Sequence, residues 1–104
     1  ALSTSLEYYR NERHKRAWSR LNDLGAVTRG WSDCYAFVLL ATGRADVVIE
    51  PDVKLWDLAA PAVVVREAGG AWSNIDGGAD VRAGSVVATN GRLHDAVMGL
   101  IRDA

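Results

Sequence analysis

The sequence has little of what stabilises secreted or membrane-spanning chains. Its one cysteine, Cys34, has no partner for an internal disulfide, which excludes a disulfide-stabilised secreted scaffold and predicts a reducing, cytoplasmic compartment. Only two of its 104 residues are proline, and no tract is of low complexity. The longest apolar runs, residues 35–41 and 59–65, fall far short of the roughly 18 residues that span a bilayer. No membrane association is therefore expected.

An excess of either charge is also missing. Twelve basic side chains face 13 acidic ones, giving a formal net charge of −1, so nucleic-acid binding is not expected. The basic residues between Arg10 and Arg20 are interrupted by Glu12 and flanked by Glu7 and Asp23, which favours a solvated helix face or a contact surface over an RNA site. With 49% hydrophobic and 24% charged residues, the composition is typical of one globular domain spanning residues 1–104.

Hydrophobic periodicity predicts a layered α/β architecture with a central sheet. Short β-branched segments alternate with stretches whose apolar residues recur at helical spacing. The predicted helices are 6–24, 34–42, 57–68 and 92–102, and the predicted strands are 1–5, 26–28, 46–50, 71–74 and 85–89.

Two carboxylates stand where such sheets often bind ligands. Glu50 ends the predicted strand 46–50, and Asp57 lies in the first turn of the next helix. Ligands of open α/β sheets bind outside the carboxyl ends of strands, close to helix N-termini. The pair is suited to a cation or to an anion together with a metal. Two simpler interpretations stay open, with Asp57 as a helix cap and Glu50 as a solvated strand end.

The remaining polar candidates favour structural interpretations. Asp33 precedes an apolar helix and has the position of a cap. Cys34 has apolar neighbours and no histidine nearby in sequence, so a buried packing thiol is favoured over a nucleophile. His14 and His94 lie on polar helical faces without a metal-ligand spacing partner, which indicates solvated side chains.

A family resemblance is carried by the sequence WDLAA at residues 56–60, followed by VVVREAGG at 63–70. Together they resemble the C-terminal signature of the inositol monophosphatase family of metal-dependent, lithium-sensitive phosphomonoesterases. Segments 40–46 and 87–91 are similar to family segments as well, so the resemblance covers about residues 29–101. Within the family, the sequence SDCY at 32–35 resembles the histidinol-phosphate phosphatase branch, which has an acidic residue where inositol phosphatases usually have a small one.

The resemblance implies an α/β/α fold with a central mixed sheet of about five strands flanked by helices. It also implies Mg²⁺-assisted hydrolysis of a small phosphomonoester, with Asp57 as a metal ligand, and a homodimer. The substrate-binding residues that it implies are Ser32, Asp33, Cys34 and Glu50. Carboxylates at Asp33 and Glu50 would pair with the protonated amine of histidinol, whereas neutral inositol offers only hydroxyls.

The family's other metal ligands are a glutamate and an Asp-Pro-(Ile/Leu)-Asp-Gly-Thr segment in its N-terminal half, and this sequence contains no Asp-Pro. Because Mg²⁺ needs several oxygen ligands, Asp57 alone cannot hold it. The chain is therefore expected to be the C-terminal, substrate-recognising half of an enzyme, without catalytic residues of its own. Two alternatives stay open: another phosphatase of the superfamily, acting on inositol, sugar or nucleotide phosphates, and a non-catalytic interaction domain.

Overall fold

The computed structural model describes residues 2–3, 9–23, 28–30 and 34–102. Four helices and four strands are formed by these residues. In chain order they are β1 (Leu2–Ser3), α1 (Glu12–Asp23), α2 (Cys34–Ala41), β2 (Val47–Glu50), α3 (Leu55–Glu67), β3 (Ala71–Ser73), β4 (Val86–Thr89) and α4 (His94–Arg102).

The strands form one mixed sheet in the order β1-β2-β4-β3. β1 is parallel to β2, whereas β4 is antiparallel to both β2 and β3. A mixed sheet is thus confirmed, but the expectation of about five strands is wrong for the described residues, which form four. Of the predicted strand 26–28, residues 26 and 27 lie outside the described residues, and Thr28 belongs to no strand.

Helices cover both faces of the sheet, which confirms the α/β/α layers. Successive strand residues point to opposite faces, so neighbours along β2 and β4 contact different helices. The strand residues that pack with α2 and α3 are Val48, Val86 and Ala88, together with Trp72 of β3. Those that pack with α1 and α4 are Val47, Ile49 and Val87. The sheet therefore separates two hydrophobic cores.

Three helices begin at residues other than those predicted: α4 begins at His94, two residues after the predicted start, and local caps decide where α1 and α3 start. α1 begins at Glu12, after Asn11, whose Oδ1 accepts a hydrogen bond from the Arg13 backbone N–H at 2.8 Å. α3 begins at Leu55, two residues before the predicted start, and Lys54 is its N-cap. Asp57 is consequently the third residue of its helix.

The two ends of the sheet are distinguished by the helix ends that meet there. A cavity of about 140 Å³ is lined by Leu40 from α2, Ala68 just after α3, and Thr89 at the end of β4. Thr89 pairs with Val47, the first residue of β2. The last turns of α2 and α3 therefore lie at this end, and their first turns lie at the opposite one, where β2 ends at Glu50. We call the latter the Glu50 end of the sheet.

Two close backbone approaches explain the glycines in the family-like segments. A Cβ on Gly70 would lie 2.5 Å from the Thr89 carbonyl oxygen and 2.9 Å from Val65 Cγ1. A Cβ on Gly91 would lie 2.7 Å from the Gly69 carbonyl oxygen, and Gly91 also has a φ of 95°. The turn that enters β3 thus lies directly against the turn that leaves β4, and only glycine fits there.

Replacement of Gly70 by alanine tests this packing. The added methyl group meets backbone atoms that cannot rotate away, so we expect a loss of about 1–3 kcal/mol in the free energy of unfolding, measured by urea denaturation. Gly99 is the matched control, because it lies inside α4 with no atom within 4 Å of an added Cβ. Gly99→Ala should stabilise the protein by roughly 0.5–1 kcal/mol. Equal effects of the two changes would contradict the close approach.

Candidate functional site

Asp57 combines a capping role with an accessible position at the Glu50 end of the sheet. Its side chain is exposed, and its Oδ2 accepts a hydrogen bond from the Lys54 backbone N–H at 3.0 Å. Its own N–H donates to the Lys54 carbonyl oxygen at 2.9 Å. The carboxylate thus supplies one half of a capping box. Within the described part of the chain, the second carboxylate oxygen, Oδ1, accepts no hydrogen bond and can bind a ligand.

Glu50 lies inside the fold rather than in solvent. It is the last residue of β2, pairs in register with Val86, and is 3% exposed. The interpretation as a solvated strand end is therefore wrong. By alternation with Val48, its side chain lies on the sheet face that α2 and α3 cover. Contact with a substrate would require the ligand to reach an enclosed carboxylate, and this role of Glu50 stays a prediction.

Cys34 is exposed at the start of α2. The interpretation as a buried packing thiol is wrong, because α2 is an outer-layer helix whose outward face stays uncovered although it is apolar; Tyr35 and Val38 are exposed there too. Because α2 begins toward the Glu50 end, Cys34 shares that end with Glu50 and Asp57. Ser32 and Asp33 lie outside the described residues, and their substrate-binding roles stay predictions.

Metal binding at this end would rest on Asp57 together with ligands from elsewhere. Among residues 2–3, 9–23, 28–30 and 34–102, no three His, Cys, Asp or Glu side chains come close enough to hold a metal ion. An exposed carboxylate with one available oxygen fits the role of a single Mg²⁺ ligand, since Mg²⁺ is usually bound through one or two protein carboxylates.

His94 forms a polar network on the opposite face of the sheet. Its Nε2 lies 2.7 Å from Ser73 Oγ on β3, and its Nδ1 lies 3.1 Å from Thr89 Oγ1 on β4. Thr89 Oγ1 also accepts a hydrogen bond from the Gly91 N–H at 3.1 Å. The interpretation of His94 as a solvated side chain is therefore wrong. Thr89, five residues before His94, was a local signal for a hydrogen bond to the imidazole. Ser73 is 21 residues away in sequence, so no local pattern indicated the second contact.

A cavity of about 260 Å³ lies beside His94, on the side of the sheet that α1 and α4 cover. Charged groups of both signs line it. They include an ion pair between Arg13 and Asp76, as well as Asp95 and Arg102 from α4. The charges offset one another, so this cavity has no net attraction for an anionic ligand.

Burial controls the protonation of both histidines. Desolvation lowers the pKa of His94, an effect that the neighbouring Asp95 carboxylate opposes. Desolvation also lowers the pKa of His14, where Asp76 acts in the opposite direction and Arg13 adds to the decrease. In the native state both imidazoles are held more strongly in the neutral form than in an unfolded chain.

No helix in the described part of the chain is both long and apolar enough to cross a membrane.

The lowered pKa of His94 predicts a pH-dependent stability. A folded-state pKa below the ordinary value of 6.5 stabilises the protein above that pH, and this contribution is lost as the pH falls through the lowered pKa. Urea unfolding from pH 8 to pH 5 should therefore show decreasing stability below about pH 6.5. His94→Gln should flatten the decrease, and His14→Gln should show how much His14 contributes. If His94→Gln lost stability with falling pH as wild type does, His94 would not be the source of the pH dependence.

The sequences of two curated relatives align with most of this chain. A histidinol-phosphatase from Mycobacterium tuberculosis is 50% identical over 78 residues, which are 75% of this chain and 30% of the relative. An inositol-1-monophosphatase from Synechocystis is 41% identical over 69 residues, or 65% of this chain and 24% of the relative. The chain thus spans less than a third of either protein.

The fold is also found in a larger solved structure. An inositol monophosphatase from Zymomonas mobilis superposes with a TM-score of 0.85 at 24% sequence identity, covering 97% of this chain and 41% of the other. At this identity the similarity shows a common fold. The model of the inositol monophosphatase family matches residues 2–104. The sequence of this chain, which the family model matches almost throughout, and the sheet with two helical layers together establish that the chain belongs to the inositol monophosphatase family.

Proposed function

We propose that the protein containing this chain is a Mg²⁺-dependent phosphomonoesterase that hydrolyses histidinol phosphate to histidinol and inorganic phosphate. The observation that carries this proposal is the position of Asp57, exposed in the first turn of α3 with one carboxylate oxygen available. Family membership supports the reaction class. The 50% identity to a histidinol-phosphatase over 75% of the chain supports the substrate.

In the proposed reaction, residues 1–104 bind and orient the substrate. Asp57 would hold a metal ion together with ligands from polypeptide beyond these residues. A bound Mg²⁺ activates water and offsets charge on phosphoryl oxygens. The first turn of α3 presents backbone N–H groups with a partial positive charge at the same end of the sheet, and these favour an anionic group such as phosphate.

Specificity is proposed to come from carboxylates that face the alcohol part of the substrate. The protonated amine of histidinol pairs with Asp33 and Glu50, while Ser32 and Cys34 complete the contacts. A charge-assisted hydrogen bond is worth about 1.5–3 kcal/mol, enough to separate a cationic alcohol from a neutral one. These two carboxylates come from the segment before α2 and from the end of β2, so the specificity depends on how α2 packs against the sheet.

A second candidate substrate is inositol-1-phosphate. The 41% identity to an inositol-1-monophosphatase supports it, over a smaller share of the chain. Both substrates require the same metal site and differ only in the alcohol that the site accepts. The two candidates are therefore separated by substrate preference and not by metal dependence.

A homodimer and a cytoplasmic location belong to the same proposal. The outward surface of α2 and α3 carries large exposed apolar side chains, which a second copy would cover. They are Tyr35, Val38, Leu55, Trp56, Val63 and Val64.

Replacing Asp57 by asparagine tests the metal site. The change removes a negative charge but keeps a side-chain oxygen that can cap α3. We expect phosphate release from histidinol phosphate to fall by about 10³-fold, equivalent to roughly 4 kcal/mol of lost transition-state stabilisation. Asp52→Asn is the matched control, because Asp52 is exposed in the same connection between β2 and α3. Activity equal to wild type in Asp57→Asn would overturn the proposal.

Replacing Asp33 by asparagine tests the substrate. We expect KM for histidinol phosphate to rise by about 10- to 100-fold, since a charge-assisted hydrogen bond is lost. KM for inositol-1-phosphate should change little. Asp46→Asn, an exposed aspartate at the other end of the sheet, controls for a general effect of charge. Equal changes in KM for the two substrates would rule out recognition of the cationic group by Asp33.

A further inference from the structure

We infer that the backbone N–H of Lys54 is a positioning group for the proposed metal ligand Asp57, and that the lysine side chain is not needed for this role. The inference rests on the proposed function, since it requires Asp57 to bind a metal ion. It concerns how one carboxylate caps a helix and binds a cation at the same time.

The two carboxylate oxygens of Asp57 have different roles, one in the helix cap and one in the proposed metal site. Oδ2 accepts the Lys54 N–H at 3.0 Å, and Oδ1 accepts no hydrogen bond within the described part of the chain. A hydrogen bond to one oxygen fixes the plane of the carboxylate and hence the direction of the other oxygen. Groups that orient metal ligands in this way typically change metal affinity by about 10- to 100-fold when they are removed. The cap and the metal site are therefore compatible uses of Asp57.

The donor is held in place by the residue before it. Val53 is 8% exposed and packs in the core between the sheet and α2 and α3. Its N–H donates to the Gly84 carbonyl oxygen at 2.9 Å, which ties the segment before α3 to the loop before β4. Lys54 follows in an extended conformation, with φ −94° and ψ 163°. The position of its N–H is thus set by a buried neighbour and a backbone hydrogen bond.

The Lys54 side chain is exposed and takes no part in this arrangement. Its ammonium cannot accept a hydrogen bond, so it cannot cap the helix N–H groups as serine or aspartate would. Any residue that keeps its N–H preserves the contact to Asp57. Proline is the one standard residue that removes it, and proline's φ near −65° is not far from the −94° found at this position.

The test uses the complete polypeptide that carries residues 1–104. Lys54→Pro removes the N–H, and Lys54→Ala keeps it while removing the ammonium. Mg²⁺ binding is measured by titration calorimetry and Mn²⁺ binding by electron paramagnetic resonance. We expect both metals to bind about 10- to 100-fold more weakly to Lys54→Pro, and within about twofold of wild type to Lys54→Ala. At saturating Mg²⁺, KM for histidinol phosphate should be unchanged in both variants.

A backbone ester at position 54 guards against a folding defect. Replacing Lys54 by its α-hydroxy acid exchanges the N–H for an oxygen and keeps the side chain, so a loss of metal affinity equal to that of Lys54→Pro supports the inference. Circular dichroism checks that each variant is folded. If Lys54→Pro does not fold, the metal affinity of the ester alone tests the inference. Metal affinity in the ester equal to wild type would overturn the inference.

Asp57→Asn distinguishes a failure of the proposed metal site from a failure of the positioning role of the Lys54 N–H. If that variant binds Mg²⁺ as wild type does, the proposed metal site is wrong. If it loses Mg²⁺ binding while the ester and Lys54→Pro bind like Lys54→Ala, the metal site stands and only the positioning role of the Lys54 N–H fails.

Discussion

The antiparallel pairing of β2 with β4 is the constraint on which the other elements depend. All eight residues of these two strands are buried, because helices cover both faces of the sheet. The register of Val47 with Thr89 and Glu50 with Val86 fixes two chemically different ends. At one end the last turns of α2 and α3 meet the end of β4. At the other end two helices begin, and the accessible polar groups proposed for function lie there.

The family-like segments serve two purposes, which lie at opposite ends of the sheet. Gly70 and Gly91 permit close backbone contact between two turns. Asp57 contributes a carboxylate at the Glu50 end, and the length of α3 separates it from Gly70. Similarity across such a segment therefore reports a shared fold through its glycines and, on the proposed function, a shared metal ligand through its aspartate.

Much of the fold could be predicted from the sequence because the periodicity of its apolar residues reflects layers on both sides of a sheet. Asp57 could be placed in a first turn because the connection from Glu50 is short. Other features depend on contacts that no local pattern contains. The exposure of Cys34 was missed because an apolar outer helix has no polar face to mark its solvent side. The His94 network was missed because Ser73 comes from a distant strand, and Lys54 is not a typical cap residue.

The contact between the two glycine turns also limits how this fold can vary in length. The turn from α3 into β3 and the turn from β4 into α4 touch through Gly70 and Gly91, with no space for a side chain. An insertion in one turn displaces the other, so the two must change together. The loop at residues 76–80 is exposed but is restricted as well, because its backbone is hydrogen-bonded to the buried Asn74 and Asp76 pairs with Arg13. In circular permutation or domain insertion, the paired turns therefore behave as one rigid unit, and new chain ends do not belong in either of them.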